Sequence, residues 1–275
     1  MHYPKCNLHT HSRFCDGADT PEETVCEALR LGMETLGFSG HSCTDFDPHY
    51  CMSLQDTVDY KQEISRLKAV YGDRLRILCG IEQDFYSAAP AEGFDYVIGS
   101  VHYVYRDGIY HPVDHSADQV REFVRTSFGG DIYKYVKAYF ETVAQVVEKT
   151  DCGIIGHFDL LEKFNYRDAM FSTDDYRYRR PLIDALDALL EKDVIFEINT
   201  GAIARGYQKI PYPSPYALYR IAEKRGRVLI NSDAHKKENL MYGFHDAMMY
   251  ARACGIGGLT VWTPDGWVVR PLGGL

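Results

Sequence analysis

Short apolar runs alternate with helical patterns along most of this 275-residue chain. The apolar runs predict strands, whereas stretches with apolar residues three and four positions apart predict helices. Strands are predicted over residues 6–8, 35–40, 76–82, 95–104, 153–158, 194–200, 228–233 and 258–262. Helices are predicted over residues 21–33, 57–72, 119–149, 180–193, 214–226 and 244–255.

Strands that alternate with helices so many times are typical of parallel βα units. Seven or eight such units predict an α/β fold closed into a TIM-like barrel, complete or one unit short. An open doubly wound sheet is the alternative, but no GxGxxG motif follows the first strand. We therefore predict a single domain over residues 1–275, with a partly helical insertion around residues 105–150.

The formal net charge of −9 and the absence of Lys/Arg clusters argue against binding to nucleic acid or to an anionic membrane. A small anionic substrate is still compatible, because a local cation can reverse the field within one pocket. The eight cysteines are scattered without a CxxC motif, and no signal segment or membrane-spanning apolar run is present. These features predict a cytoplasmic protein with free thiols.

Nearly every predicted strand ends in a histidine or an acid, and in a barrel these ends converge on one face. A single histidine at a strand end is commonly structural, but burying so many titratable groups without a metal would be costly. Imidazole and carboxylate ligands suit Zn²⁺, Fe²⁺ or Mn²⁺, and their number predicts two or three ions. The candidate ligands are His9, His11, Asp16, His41, Glu82, His102, His157, Asp233 and His235.

The remaining histidines fall in predicted loops, in helices or at the chain start, and we assign them no function: His2, His49, His111, His115 and His245. Cys15 and Cys43 stand close in sequence to candidate ligands, so a thiolate ligand is a minor alternative.

The motifs HTH, GHS, the strand-end Glu82, SVH, GHFD and SDAH, in this order, resemble the polymerase and histidinol phosphatase (PHP) superfamily. The resemblance covers almost the whole chain and implies a distorted (β/α)7 barrel that holds up to three metal ions. It also implies the ligand sets: His9, His11, Glu82 and Asp233 for the first ion; Glu82, His102 and His157 for the second; Asp16, His41 and His235 for the third. For Asp16, an ordinary Asp-Gly turn is the alternative.

The segment NTGAIARGYQKIPYPS, which follows the sixth strand, is similar to the histidinol-phosphate phosphatases of this superfamily. This implies hydrolysis of L-histidinol phosphate, in histidine biosynthesis, by a hydroxide held between metal ions. The matching arginine, Arg205, would hold the substrate phosphate, although a solvated loop arginine is the alternative. Asp233 and His235 are candidates for the group that protonates the leaving alcohol, as is a metal-bound water.

Three other functions are compatible with parts of this pattern. A PHP phosphoesterase could act on a nucleotide, an oligonucleotide end or phosphotyrosine. A non-catalytic metal-binding module is disfavoured by the intact ligand set. A metal-dependent amidohydrolase also begins with HxH, but it often uses a lysine late in the barrel, and no lysine stands at a predicted strand end.

Overall fold

The core of the structure, a computed structural model that describes residues 5–272, is a sheet of seven parallel strands. Their order is β1 (Cys6–Asn7), β2 (Thr35–Phe38), β3 (Arg76–Asp84), β4 (Tyr96–Ser100), β7 (Ile154–Ile155), β8 (Ile195–Asn199) and β9 (Arg227–Asn231). The backbone N–H of His11 donates to the Ala234 carbonyl oxygen (2.9 Å), and the N–H of Ala234 donates to the His9 carbonyl oxygen (3.1 Å), so that the chain beyond β9 lies against the chain beyond β1. The sheet is thus a nearly closed barrel, which confirms the predicted distorted (β/α)7 fold.

Helices surround the barrel and follow its strands along the chain. They are α1 (Pro21–Arg30), α2 (Leu54–Tyr71), α3 (Ala117–Ser127), α4 (Ile132–Val143), α5 (Val146–Thr150), α6 (Asn165–Asp168), α7 (Tyr176–Leu190), α8 (Gly201–Ala204), α9 (Pro215–Glu223) and α10 (Phe244–Ala253). Short 3₁₀ turns span Leu160–Glu162 and Lys237–Asn239. Capping boxes begin the two N-terminal helices, with Thr20 and Glu23 at α1 and Ser53 and Asp56 at α2. Each box satisfies backbone N–H groups that the first turn leaves free.

The interior of the barrel is apolar at its base, where Tyr96 lies among buried aliphatic side chains. The Tyr96 hydroxyl donates to the carbonyl oxygens of Leu8 (2.5 Å) and Phe38 (2.9 Å). Its ring fills the space beside Gly37 and Gly80, where a Cβ atom would overlap it. Glycine at these two positions therefore leaves room for the Tyr96 side chain, which contacts β2 and β3 and hydrogen-bonds to the chain just after β1.

The structure departs from the predicted elements in three places. The predicted strand 95–104 is interrupted after β4, and the chain continues as a separate antiparallel hairpin of β5 (Tyr103–Arg106) and β6 (Ile109–Pro112). The helical pattern of 119–149 forms three helices, and Gly129 and Gly130, with φ angles of 63° and 80°, separate the first two. The last predicted strand, β10 (Gly258–Thr263), lies outside the barrel and pairs with β11 (Gly266–Pro271).

Two further features of the described residues bear on the sequence predictions. All eight cysteines carry free thiols. Between residues 5 and 272, no helix combines the length and the apolar character needed to cross a membrane.

Candidate functional site

All nine predicted ligand residues meet at one end of the barrel. They lie at or just beyond the carboxyl ends of β1, β2, β3, β4, β7 and β9, as the geometry of a parallel barrel dictates. All of them except His9 and His11 line a cavity of about 400 Å³. The buried members are His9, His11, His41, Glu82, His102, His157 and Asp233, whereas Asp16 and His235 stand nearer the opening.

The carboxylate of Glu82 separates the imidazoles into two groups. Its Oε2 atom lies 3.1 Å from His9 Nε2 and 2.9 Å from His41 Nδ1. Its Oε1 atom lies 3.3 Å from His102 Nε2 and 3.0 Å from His157 Nε2. One carboxylate oxygen therefore faces each group, which is the arrangement that a carboxylate shared by two metal ions requires.

Several of these atoms are buried without a hydrogen-bond partner, among them His9 Nε2, His11 Nε2 and Glu82 Oε2. Leaving such atoms unpaired is costly, so their convergence calls for a cation. Ligand atoms at about 2.1 Å from a tetrahedral ion lie about 3.4 Å from one another. The observed separations of 3.2 Å from His11 Nε2 to Asp233 Oδ1 and 3.7 Å from His9 Nε2 to the same oxygen fit this spacing. The donor set therefore fits divalent metal ions.

The ligand atoms cluster in four groups: His11, Asp16, His41 and His235; His9, Glu82 and His157; His9, His11 and Asp233; His41, Glu82 and His102. The first group contains the set that the resemblance implies for the third ion and adds His11 to it. The other three groups combine the ligands of the first two implied ions differently. Residues such as His9 and Glu82 belong to more than one group, so these groups do not coincide with the implied sets.

Asp16 forms the outer wall of the site. Its Oδ2 lies 3.1 Å from His235 Nε2, and its Oδ1 lies 3.6 Å from His41 Nε2. The following Gly17 packs against the backbone of Ser12 so closely that a Cβ atom would overlap it. The Asp-Gly turn is therefore present, and it places the Asp16 carboxylate at the cluster; the turn and the ligand interpretation are compatible.

The electrostatics of the cluster are those of buried carboxylates and imidazoles that shift one another's pKa values. Burial tends to raise the pKa of Glu82, but the surrounding imidazoles, His9 foremost, lower it well below its ordinary value. Burial lowers the pKa of His11 to about 3, which keeps this imidazole neutral. Burial also opposes the charge on His9, but Glu197 and Glu82 outweigh it and raise the pKa of His9. The carboxylates thus attract positive charge into a buried space, and metal ions would supply it.

Two acids that the sequence interpretation missed orient the histidines from behind. Glu197 in β8 is 1% exposed, and its Oε1 accepts hydrogen bonds from His9 Nδ1 (2.6 Å) and from the Asn231 side chain (2.9 Å). Asp84 similarly lies 3.1 Å from His102 Nδ1. Each contact turns the opposite ring nitrogen toward the cluster, a role that commonly accompanies metal-binding histidines. An acid inside the otherwise apolar run VIFEINT was the available signal for Glu197.

Arg205 lies in the loop after α8 and reaches the cavity wall. Its Nη2 atom donates to Asp233 Oδ2 (2.9 Å), and its Nη1 atom donates to the Asp233 carbonyl oxygen (3.1 Å). Nη1 also lies 3.0 Å from His235 Nδ1. Gly201 leaves the room that this contact needs, because a Cβ atom there would crowd Asp233 and Arg205. A guanidinium held in this way presents a fixed positive charge beside the cluster.

Of the histidines left without a function, His115 lies on the cavity wall, together with Tyr50, Tyr103 and Lys163. The β5–β6 hairpin immediately precedes His115 in the chain and brings it to the cavity. The sequence pattern did not indicate this position. His111 instead stacks on Phe123, and His2 lies outside the described residues.

The minor alternative of a thiolate ligand is disfavoured at one of its two positions. Cys15 Sγ lies 3.6 Å from His11 Nδ1, close to the cluster. Burial, with the neighbouring charge of Asp16, raises the pKa of Cys15 to about 12. This favours the neutral thiol, which is a poor metal ligand.

Comparison with known proteins agrees with this geometry. The chain matches the PHP domain over residues 7–201. A Schizosaccharomyces pombe protein named "Probable histidinol-phosphatase" is 27% identical, over 94% of this chain and 90% of its own length. A protein of the same name from Deinococcus radiodurans is 28% identical, over 93% of this chain and 95% of its own.

A solved structure has the same fold: the histidinol phosphate phosphatase of Lactococcus lactis in complex with zinc, L-histidinol and phosphate. Its TM-score is 0.72 at 24% identity, covering 96% of this chain and 98% of that one. The family match alone covers more than half of the chain. This chain therefore belongs to the PHP domain family.

Proposed function

We propose that this chain is a metal-dependent phosphatase that hydrolyses L-histidinol phosphate to L-histidinol and phosphate. The observation that carries the proposal is the cavity of about 400 Å³ in which Glu82 separates two groups of imidazoles and Arg205 stands on the wall. The names of the curated relatives support the substrate. The zinc, L-histidinol and phosphate in the Lactococcus lactis structure support both the metal and the reaction.

Two or three divalent ions, Zn²⁺, Fe²⁺ or Mn²⁺, would be held by the nine residues at the barrel mouth. We assign the first ion to His9, His11, Glu82 and Asp233, the second to Glu82, His102 and His157, and the third to Asp16, His41 and His235. When bound, such ions lower the pKa of water towards neutrality and stabilise the charge that develops on phosphoryl oxygens. The division of the imidazoles between the two Glu82 oxygens supports the bridging role.

The remaining residues of the site would bind and orient the phosphate. Arg205 offers its guanidinium N–H groups to phosphate oxygens, in a charge-assisted geometry that suits a planar fork. Its contact with Asp233 holds it in place before the substrate arrives. Asp233 and His235 line the same wall as Arg205, and each is a candidate, as is a metal-bound water, for the group that would protonate the leaving alcohol oxygen. Positioning of this kind, together with fixed charge, carries most of the catalysis in phosphoryl transfer.

The experiment that tests the proposal is phosphate release by purified, metal-analysed protein from L-histidinol phosphate, with nucleotides and phosphotyrosine alongside. We expect strong preference for L-histidinol phosphate, two to three ions per chain, and loss of activity on chelation that zinc or manganese restores. Bound metal with better turnover of a nucleotide or of phosphotyrosine would keep the site and reject the substrate. Activity that survives complete removal of metal would reject the mechanism.

We also propose that the partner of this chain is this small phosphorylated molecule rather than nucleic acid, in keeping with the net charge of −9. The free thiols support a cytoplasmic location. The whole chain, residues 1–275, would act as one domain.

A further inference from the structure

One carboxylate on the cavity wall has no place in the proposed metal cluster. Among the described residues that line the cavity, the acids are Asp16, Glu82, Asp114 and Asp233, and Asp114 is the one outside the candidate ligand set. It follows the hairpin strand β6 and stands beside His115. An acid in this position is available for recognition of the substrate rather than for binding of metal.

Lys163, which also lines the cavity, fixes the position of Asp114. Its Nζ atom donates to Asp114 Oδ2 (3.0 Å) and to the Asp114 carbonyl oxygen (2.8 Å). The lysine side chain is only 12% exposed, so this contact is well shielded from solvent. Burial tends to raise the pKa of Asp114, but the charges of Lys163 and His102 outweigh it and lower the pKa to about 2. The carboxylate is therefore ionised at neutral pH.

The contact with Lys163 leaves part of the carboxylate available. Within residues 5–272, no group donates a hydrogen bond to Asp114 Oδ1. A carboxylate can accept several hydrogen bonds on its two oxygens, so Asp114 can bind a second cation while Lys163 stays in place. Asp114 lines the same cavity as Arg205, and the backbone N–H of the preceding residue, Val113, donates to the His102 carbonyl oxygen (2.9 Å). Asp114 therefore lies near the end of the cavity that is proposed to take the phosphate.

We propose that Asp114 binds the primary ammonium of the substrate and selects phosphate esters of 2-amino alcohols, an inference that rests on the proposed function. In L-histidinol phosphate, the ammonium is attached to the carbon next to the one that carries the ester oxygen. With the phosphate at Arg205 and the metal cluster, the ammonium must lie within a short distance of it. The other wall residues outside the cluster offer aromatic rings, as Tyr50 and Tyr103 do, the aliphatic side chain of Leu160, or a cation.

The test compares pairs of substrates that differ only in the amine. Kinetics are measured for the wild type and for Asp114→Asn with L-histidinol phosphate and with imidazolepropanol phosphate, the same molecule without its ammonium. A second pair, 2-aminoethyl phosphate and ethyl phosphate, removes the imidazole from the comparison. We expect Asp114→Asn to lower kcat/KM about 10-fold to 100-fold for the amines. The values for the deamino esters should change less than about 2-fold.

The deamino esters show whether the variant still has an intact catalytic site. Asp114→Glu should recover part of the preference for the amine, and Asp118→Asn, at a 93% exposed acid, is the matched control. Equal losses for both members of each pair would overturn the assignment of Asp114. Poor turnover of L-histidinol phosphate by the wild type, with 2-aminoethyl phosphate still favoured over ethyl phosphate in an Asp114-dependent way, would reject the proposed substrate and keep the ammonium site.

Discussion

The two ends of the barrel interior are built by the same strands and have opposite chemistry. In β3, Leu78 and Glu82 are four residues apart and share the inward face; Ile98 and His102, at β4, have the same spacing. Four residues of extended chain span about 13 Å. Over this distance the interior changes from closely packed aliphatic groups to buried imidazoles and carboxylates, several of whose atoms lack hydrogen-bond partners.

This difference indicates that the base of the barrel contributes mainly to stability, whereas the mouth carries the chemistry of the site. Each fully buried aliphatic side chain at the base contributes about 1.5–3 kcal/mol through removal of apolar surface from water. Each unpartnered buried polar atom at the mouth costs about 1–3 kcal/mol until a cation satisfies it. Substitutions at the mouth should therefore affect catalysis, and substitutions at the base should affect folding.

The largest effect is expected at Glu82, which contacts both groups of imidazoles. Glu82→Gln keeps the shape of the side chain but removes the charge that two ions would share. We expect kcat to fall by more than about 1,000-fold and the bound metal to fall by at least one ion per chain. Metal analysis and steady-state kinetics measure both. Retained metal and retained turnover would exclude Glu82 as a shared ligand.

The converse substitution is Ile98→Ala at the base. Ile98 is fully buried, and its truncation should lower the free energy of unfolding by about 2–4 kcal/mol through lost burial and the cavity that remains. Denaturant titration measures this change. Turnover of the folded variant should stay within about 2-fold of the wild type. A large loss of kcat without loss of stability would mean that the two ends are not independent.

A smaller effect is expected at Arg205, which stands at the mouth but outside the proposed ligand set. Arg205→Ala removes the guanidinium that would bind the phosphate, so KM should rise about 10-fold to 100-fold with a smaller change in kcat. The bound metal should be unchanged. Arg180→Ala, at a 78% exposed arginine, is the control. An unchanged KM would remove Arg205 from the phosphate site.

The smallest effect is expected at Glu197, which lies behind the cluster. Glu197→Gln weakens the contact that orients His9, so the affinity for metal should fall about 10-fold. Titration of metal-free protein with Zn²⁺ measures this directly. At saturating metal, kcat should return to nearly the wild-type value. Glu141→Gln, at an exposed acid of α4, controls for the loss of charge. Unaltered Zn²⁺ affinity would contradict an orienting role.

The sequence predicted the barrel and the convergence of the candidate ligand residues for one physical reason. Parallel strands bring their carboxyl ends to one face, so residues that are distant in sequence, such as His9 and Asp233, can be placed together from the order of elements alone. Glu197 was missed because the pattern of a predicted strand does not show which distant residue an acid within that strand will contact. Asp114 and His115 could not be placed because their position depends on how the hairpin β5–β6 folds back. That depends on tertiary contacts such as the one with Lys163.

The C-terminal hairpin has a consequence for how this protein can be observed. Its two strands carry the only tryptophans of the chain, Trp262 and Trp267, whose rings meet edge to face with centroids 4.8 Å apart. Both pack against the apolar cluster at the base of the barrel. Intrinsic tryptophan fluorescence therefore reports the opening of this end of the molecule. It serves as an optical reporter of global unfolding that binding events at the opposite end leave nearly unchanged.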